Sequence, residues 1–252
     1  MRLTVIGSGT ISLSPTRGCA AYLVEAGALR ILLDVGPGAA HTMARHGMDW
    51  WGVTHIALSH FHLDHISDLP VLIFAFRHAQ REPRTAPLTI IGPPGTRDLI
   101  TRWAGALGDW LQAPGFPLDI VEPAPDTPLD LAGGTILTCR AVPHTAESVA
   151  YSVVHDGRRL VYTGDTGDDP SLGAWAAGCD LLLAECSLPD SMPVPIHLTP
   201  SQTAALATAA GPGMLVVTHM YPPLEGIDLR AELGARWAGP TVIATDGLVL
   251  DC

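Results

Sequence analysis

Short β-branched runs, most of them closed by Gly, Pro or Asp, recur from one end of the chain to the other. They fall at residues 3–6, 20–24, 29–33, 55–58, 88–91, 136–139, 149–154, 159–162, 180–184, 214–218 and 241–244, and runs of this kind are strand signals. Helical stretches are expected at 66–78, 96–107, 201–210 and 229–237, with Pro200-Ser201 starting the third and Gly211-Pro212 stopping it. Early strands follow one another as hairpins and later ones alternate with helices. That order favours a layered α/β architecture over a purely doubly wound sheet. The Pro-rich stretch 114–128 is too short to join two domains and is expected to be a surface loop. At 252 residues, 47% hydrophobic and 15% charged, the chain can build one large core and carries too little charge for disorder. One domain over residues 1–252 is the expectation.

Charge narrows the partners. Fourteen basic residues face 25 acidic ones, a formal balance of −11. Such a chain repels a phosphate backbone at long range, which argues against non-specific nucleic-acid binding but not against a phosphate-bearing substrate held by a metal. All the basic residues are Arg, and Lys and Asn are absent, a compositional bias before it is a hint of phosphate recognition. The five cysteines are widely spread and form no C-x-x-C, so neither a disulfide framework nor a cysteine zinc ribbon is expected. The opening MRLTVIGSGTISL lacks the basic-then-apolar order of a secretory signal. No apolar run approaches the ~20 residues that span a bilayer. A cytoplasmic protein in a reducing compartment fits these features.

The segment that carries chemistry is His55-Ile-Ala-Leu-Ser-His60-Phe-His62-Leu-Asp64-His65, a strand running directly into H-x-H-x-D-H. Alternate side chains of an extended chain share a face, so His60 and His62 can converge on one metal, while Asp64 and His65 can serve a second. Imidazole and carboxylate in this mixture suit zinc, and manganese or iron is also accommodated. A polar loop that is merely rich in His is the bland alternative. Two metals require further ligands at later strand ends, and three are present: His144 after the run at 136, Asp165 in the turn after Leu160-Val-Tyr-Thr-Gly, and His219 after Leu215-Val-Val-Thr. One histidine after one strand is usually a hydrogen-bonded structural residue. The ordered set of H-x-H-x-D-H, His, Asp and His is not.

On these residues the chain resembles the metallo-β-lactamase superfamily, and within it the ribonuclease Z-like phosphodiesterases. Gly7-Ser-Gly9, Ser14-Pro-Thr-Arg17, Leu33-Asp34-Val-Gly36, Ile91-Gly-Pro-Pro-Gly95-Thr, Ala184-Glu185-Cys-Ser and His197-Leu-Thr199 carry the narrower likeness. The resemblance implies a four-layer αββα sandwich with a metal site at one edge. It assigns His60, His62 and His144 to a first ion, Asp64, His65 and His219 to a second, and Asp165 to both. It implies hydrolysis by metal-activated hydroxide, with Asp64 orienting it or taking its proton and His197 protonating the leaving group. Glu185 would hold the His197 imidazole in its cationic form. Superfamily phosphodiesterases are often dimers, so a homodimer belongs to the same expectation. Asp34 is expected to fix the ligand loop rather than to ligate.

The tRNA-processing members carry a Gly/Pro- and basic-rich arm, commonly between the positions matching His144 and Asp165. Here 20 residues separate the two, enough for a hairpin. A small phosphodiester or nucleotide is therefore expected, and structured tRNA is disfavoured. Hydrolysis of a lactone, thioester or β-lactam at the same metals is the main alternative, with Tyr221 as a helper for its leaving group. A non-enzymatic metal-binding module is the other, disfavoured because degenerate relatives lose ligands and none is missing here. Gly92-Pro-Pro-Gly95 is either an anion-holding helix start or a rigid turn. Arg77, Arg81 and Arg84 are read as a solvated face, with a place beside the active-site cleft as the alternative.

Overall fold

The computed structural model describes residues 1–252. In chain order the first half holds β1 (Arg2–Gly7), β2 (Ala21–Ala26), β3 (Leu29–Val35), α1 (Ala39–Arg45), β4 (His55–Ala57), α2 (Leu63–Ile66), α3 (Leu69–His78), β5 (Leu88–Ile91), α4 (Thr96–Leu107) and β6 (Leu118–Val121). The second holds β7 (Leu129–Asp130), β8 (Thr135–Ala141), β9 (Val149–His155), β10 (Arg158–Tyr162), α5 (Pro170–Trp175), β11 (Leu181–Glu185), α6 (Pro200–Ala210), β12 (Met214–Thr218), α7 (Leu229–Gly234), β13 (Thr241–Ile243) and β14 (Val249–Asp251). Two seven-stranded sheets result, ordered β14-β1-β2-β3-β4-β5-β6 and β13-β12-β11-β10-β9-β8-β7. Each is antiparallel in its hairpin part and parallel from β3 to β6 or from β10 to β13. The hairpins-then-crossovers order therefore occurs twice, once per sheet. No helix is long and apolar enough to cross a membrane.

The layers follow from strands that are apolar on both faces. Leu3, Val5, Tyr22, Leu33, Tyr151, Leu160, Tyr162 and Leu183 pack between the sheets. Ile6, Leu23, Leu32, Ile56 and Ile90 face outward and are covered by Leu69, Ile73, Phe76 and Ile100 of α3 and α4. On the far side Val161, Leu182, Leu215 and Val217 are covered by Leu172, Ala204, Ala207 and Leu233 of α5, α6 and α7. The order helix, sheet, sheet, helix is the expected αββα sandwich.

Three interior tyrosines join strands across the sandwich at one end. Tyr22 hydroxyl pairs with Thr218 at 2.8 Å, Tyr151 donates to Leu58 carbonyl at 2.7 Å, and Tyr162 donates to Asp34 at 2.7 Å. A buried phenol needs such a partner, and each partner here lies in or next to a segment that carries site residues.

Some expected elements differ. The stretch 66–78 is two helices, because Pro70 has no N–H to continue a ladder and restarts the helix at α3. The 114–128 loop contains the edge strand β6, which begins just after Pro117, a position that tolerates Pro at a sheet edge. The helix expected to reach 237 stops at Gly234. The stretches 96–107 and 201–210 are helical as expected. Thr199 and Gln202 form a reciprocal capping box on α6, and Gly211 ends it in the left-handed conformation.

Candidate metal centre

The segments after β4, β8, β10, β11 and β12 leave their sheets at the same edge of the sandwich, and Asp34 stands at the end of β3 beside them. His60, His62, His144 and Asp165 offer ligand atoms lying within 4.8 Å of one another, as do Asp64, His65 and His219. Asp165 stands between the groups. Its Oδ2 is 3.8 Å from His60 Nε2, 3.7 Å from His144 Nε2 and 3.3 Å from His65 Nε2, and its Oδ1 is 3.3 Å from His219 Nε2. Asp165 reaches this position because the turn before it uses Gly164 at φ +58, where a Cβ would stand 2.9 Å from the Ser59 side chain. His219 itself holds φ 56, a left-handed conformation that costs a non-glycine residue and persists where the surroundings enforce it.

The outer nitrogens of His60, His65, His144 and His219 are committed, which sets the tautomers of those four rings. Ser59 donates to Asp34 and accepts from His60 Nδ1 at 3.0 Å, while His65 Nδ1 donates to Asp34 at 2.7 Å. His144 Nδ1 donates to Ile196 carbonyl at 2.8 Å, and His219 Nδ1 lies 3.0 Å from Ser187 hydroxyl. The inward nitrogens then face one another as lone pairs: His144 Nε2 is 3.0 Å from His62 Nδ1, and His65 Nε2 is 3.2 Å from His219 Nε2. Neutral rings held this way repel unless a proton or a cation sits between them. His60 Nε2 and Asp165 Oδ1 are buried and have no hydrogen-bond partner at all. Orphaned acceptors of this kind, aimed at one another, fit divalent metal ions.

Electrostatics agree. Burial, with His65 adding to it, pushes His60 down to about 2, keeping it a neutral acceptor. Burial penalises charge at Asp165, yet His219 and His65 overcome it and hold the carboxyl well below the usual range. Burial also opposes charge at His65, but Asp165 and Asp34 raise it well above an ordinary imidazole, so a proton fills the gap between His65 and its neighbours when no cation does. Asp34, Asp64, Asp165 and Glu185 are all buried, and no Arg side chain hydrogen-bonds any of them. Buried carboxylates whose only basic partners are imidazoles mark a site for cations.

His197 stands beside this group. Its Nδ1 is 3.1 Å from Glu185 Oε2 and 4.0 Å from Asp165 Oδ2. Burial lowers its affinity for a proton, but the Glu185 hydrogen bond and charge outweigh this and raise its pKa. Glu185 is in turn fixed by the N–H groups of Thr166 at 2.6 Å and Leu198 at 3.2 Å, and by Ser187. Asp165, His197 and His219 also form a metal-sized cluster, which was not foreseen from sequence. The nitrogen His197 turns toward it is the one Glu185 already holds. Ser59 and Ser187, which orient the grouped imidazoles, carry no motif of their own in the sequence; Ser187 lies two residues past Glu185, the only local signal it gives.

Other candidates fall away. The N–H groups of Gly95 and Arg97 at the start of α4 donate to Glu122, so that helix end already holds a carboxylate and is the turn, not an anion site. Arg84 is buried and donates to the carbonyls of Trp51, Val53, Ala86 and Pro87. Arg77 donates to Ala113 carbonyl at the far end of α3, roughly 12 Å of helix rise from its start, and does not line the centre.

A family model described as a beta-lactamase superfamily domain matches residues 29–220, three quarters of the chain and every one of the grouped residues. The chain belongs to the metallo-β-lactamase superfamily. Ribonuclease Z of Mycobacterium bovis (strain BCG / Pasteur 1173P2) is 29% identical over 272 aligned residues that cover 98% of this chain and 96% of that protein. An uncharacterized protein of Mycobacterium tuberculosis (strain CDC 1551 / Oshkosh) is 30% identical, covering 95% of this chain and 88% of its own. Among solved structures, the metallo-β-lactamase fold protein YhfI from Bacillus subtilis superposes with a TM-score of 0.85 at 24% identity, covering 99% of each chain. The short form of human tRNase Z gives 0.80 at 23%, covering 100% of this chain and 99% of that one. These two likenesses concern the fold. Within the superfamily the chain is a ribonuclease Z-like member and a metal-dependent hydrolase.

Proposed function

We propose that this metallo-β-lactamase-fold hydrolase is a dinuclear phosphodiesterase acting on a small substrate. The observation that carries the reading is Asp165, whose two oxygens face both groups of imidazoles at 3.3–3.8 Å. In this assignment His60, His62 and His144 hold one ion, Asp64, His65 and His219 the other, and Asp165 both, with zinc the best match to the donors. Divalent cations bound there supply Lewis acidity, lowering the pKa of water and neutralising charge on a phosphoryl oxygen.

The chain's own groups do the rest. Asp64, whose Oδ2 is fixed by Ile11 N–H at 2.9 Å, orients the attacking water or takes its proton. His197, kept protonated by Glu185, gives a proton to the leaving alkoxide. The relatives named ribonuclease Z favour a phosphodiester bond as the target. The 20 residues between His144 and Asp165 are taken up by β9, β10 and their turns, leaving no arm for structured RNA, and the charge of −11 points the same way. The acyl reading keeps one supporting observation: the Tyr221 ring stands 5.9 Å from those of both His197 and His219.

The test is hydrolysis of bis(4-nitrophenyl) phosphate alongside an acyl-homoserine lactone, a glutathione thioester and a β-lactam. The diester should be cleaved and cleavage should stop on chelation; on a diester with an alkoxide leaving group, His197→Ala should lower kcat by about 10²–10⁴ without loss of metal. Full activity in that variant removes the acid, and preference for an acyl substrate removes the phosphodiesterase.

A further inference from the structure

Six loops frame the centre: residues 8–16, 58–68, 142–148, 163–169, 186–199 and 219–228. None contains an Arg. Their charged residues outside the ligand set are all acidic: Asp68, Glu147, Asp168, Asp169, Asp190, Glu225 and Asp228. Arg17, next along the chain from the first loop, is anchored through Nη1 to Ser8 hydroxyl and Ala244 carbonyl, both at 2.7 Å. A cavity of about 350 Å³ beyond Tyr221 balances Arg17 and Arg230 against Glu225 and Asp228, and Arg230 is tied to Thr241 carbonyl. These loops themselves offer no guanidinium to a second phosphate, and their acidic side chains oppose one.

What the loops do expose is apolar. Nine large hydrophobic side chains are exposed on the whole molecule, and five of them, Ile11, Leu13, Leu63, Met192 and Ile196, lie on these loops. Three are one step from a ligand or the acid. Ile11, 50% exposed, gives its N–H to Asp64; Leu63, 62% exposed, sits between His62 and Asp64; Ile196, 44% exposed, receives His144 on its carbonyl and precedes His197. Tyr221 adds its ring beside His197 and His219. Exposed apolar side chains concentrated on a catalytic mouth mark a binding surface rather than scatter.

We propose that the substrate carries its negative charge only on the scissile diester and lays an apolar arm, aryl or alkyl, against Ile11, Leu63 and Ile196. A polynucleotide, or a nucleotide with a further phosphate, is selected against by the acidic loops. This rests on the phosphodiesterase reading and narrows it. The apolar arm gains by leaving water, and a second anion meets repulsion with no guanidinium to offset it.

The test uses the metal-loaded 252-residue chain and three diesters sharing a 4-nitrophenyl leaving group. Their other arms are methyl, benzyl, and thymidine 3′-phosphate joined through its 5′ oxygen. The expected order of kcat/KM is benzyl, then methyl, then the thymidine ester, with benzyl ahead of methyl by about tenfold. The triple variant Ile11→Ser, Leu63→Ser, Ile196→Ser, whose side chains lie outside the core, should bring the benzyl-to-methyl ratio close to one. Equal rates for benzyl and methyl, or a preference for the thymidine ester with its second phosphate, overturns the inference while leaving the phosphodiesterase intact. Cleavage of none of the three, with turnover of a lactone or thioester, overturns the phosphodiesterase reading itself. If the triple variant lowers the mass in sedimentation and leaves the ratio unchanged, the apolar ring belongs to a second copy of the chain and the inference fails.

Discussion

In the first sheet a single segment after β4 carries His60, His62, Asp64 and His65, whereas the second sheet distributes His144, Asp165 and His219 over the ends of β8, β10 and β12. The sheets share one plan, hairpins followed by parallel crossovers, yet they contribute to the centre in opposite ways. The contiguous set is aimed by local backbone and by one carboxylate: Asp34 accepts from Ser59 N–H, Ser59 hydroxyl, His65 and Tyr162. The dispersed set is aimed by β8, β10 and β12 running in the same direction, β8 through the antiparallel β9, and by contacts that cross the sandwich. A centre of this design exists only when the two sheets are packed against each other, so metal binding and the native fold are coupled.

The largest expected effect comes from the residue that joins the halves. Asp165→Asn keeps shape but removes the charge facing both groups, and hydrolysis should fall to the level of the chelated protein, with metal content falling alongside. Retained activity with full metal content would separate the halves into independent sites. Asp34→Ala should act on the contiguous set first, lowering metal affinity roughly 10–100-fold, with activity recovered at higher metal concentration; equilibrium titration with a competing chelator reads this. The smallest effect is at a strut. Tyr162→Phe removes one donor from Asp34 and should cost about 1–3 kcal/mol in urea unfolding, with the chemistry largely kept.

The same contrast governs how much was legible in the sequence. H-x-H-x-D-H was readable because spacing along one strand end already puts its side chains together. His144, Asp165 and His219 were readable only jointly, because each terminates a strand and parallel strands deliver such ends to one edge. Ser59, Ser187 and the tyrosines were not readable. Tyr162 meets Asp34 across 128 positions and Tyr22 meets Thr218 across 196, and no local pattern encodes such a meeting. The helix start at Pro200 and stop at Gly211 were visible because capping is local chemistry. The short β6 and β14 and the six-residue α5 were missed because so few residues show no period.

The bound metal in the purified wild-type chain tests the joined centre most directly, counted by elemental analysis and located by anomalous diffraction. Two ions per chain, one among His60, His62 and His144 and one among Asp64, His65 and His219, with Asp165 touching both, is the predicted result. A single ion, or two that Asp165 does not share, would contradict it.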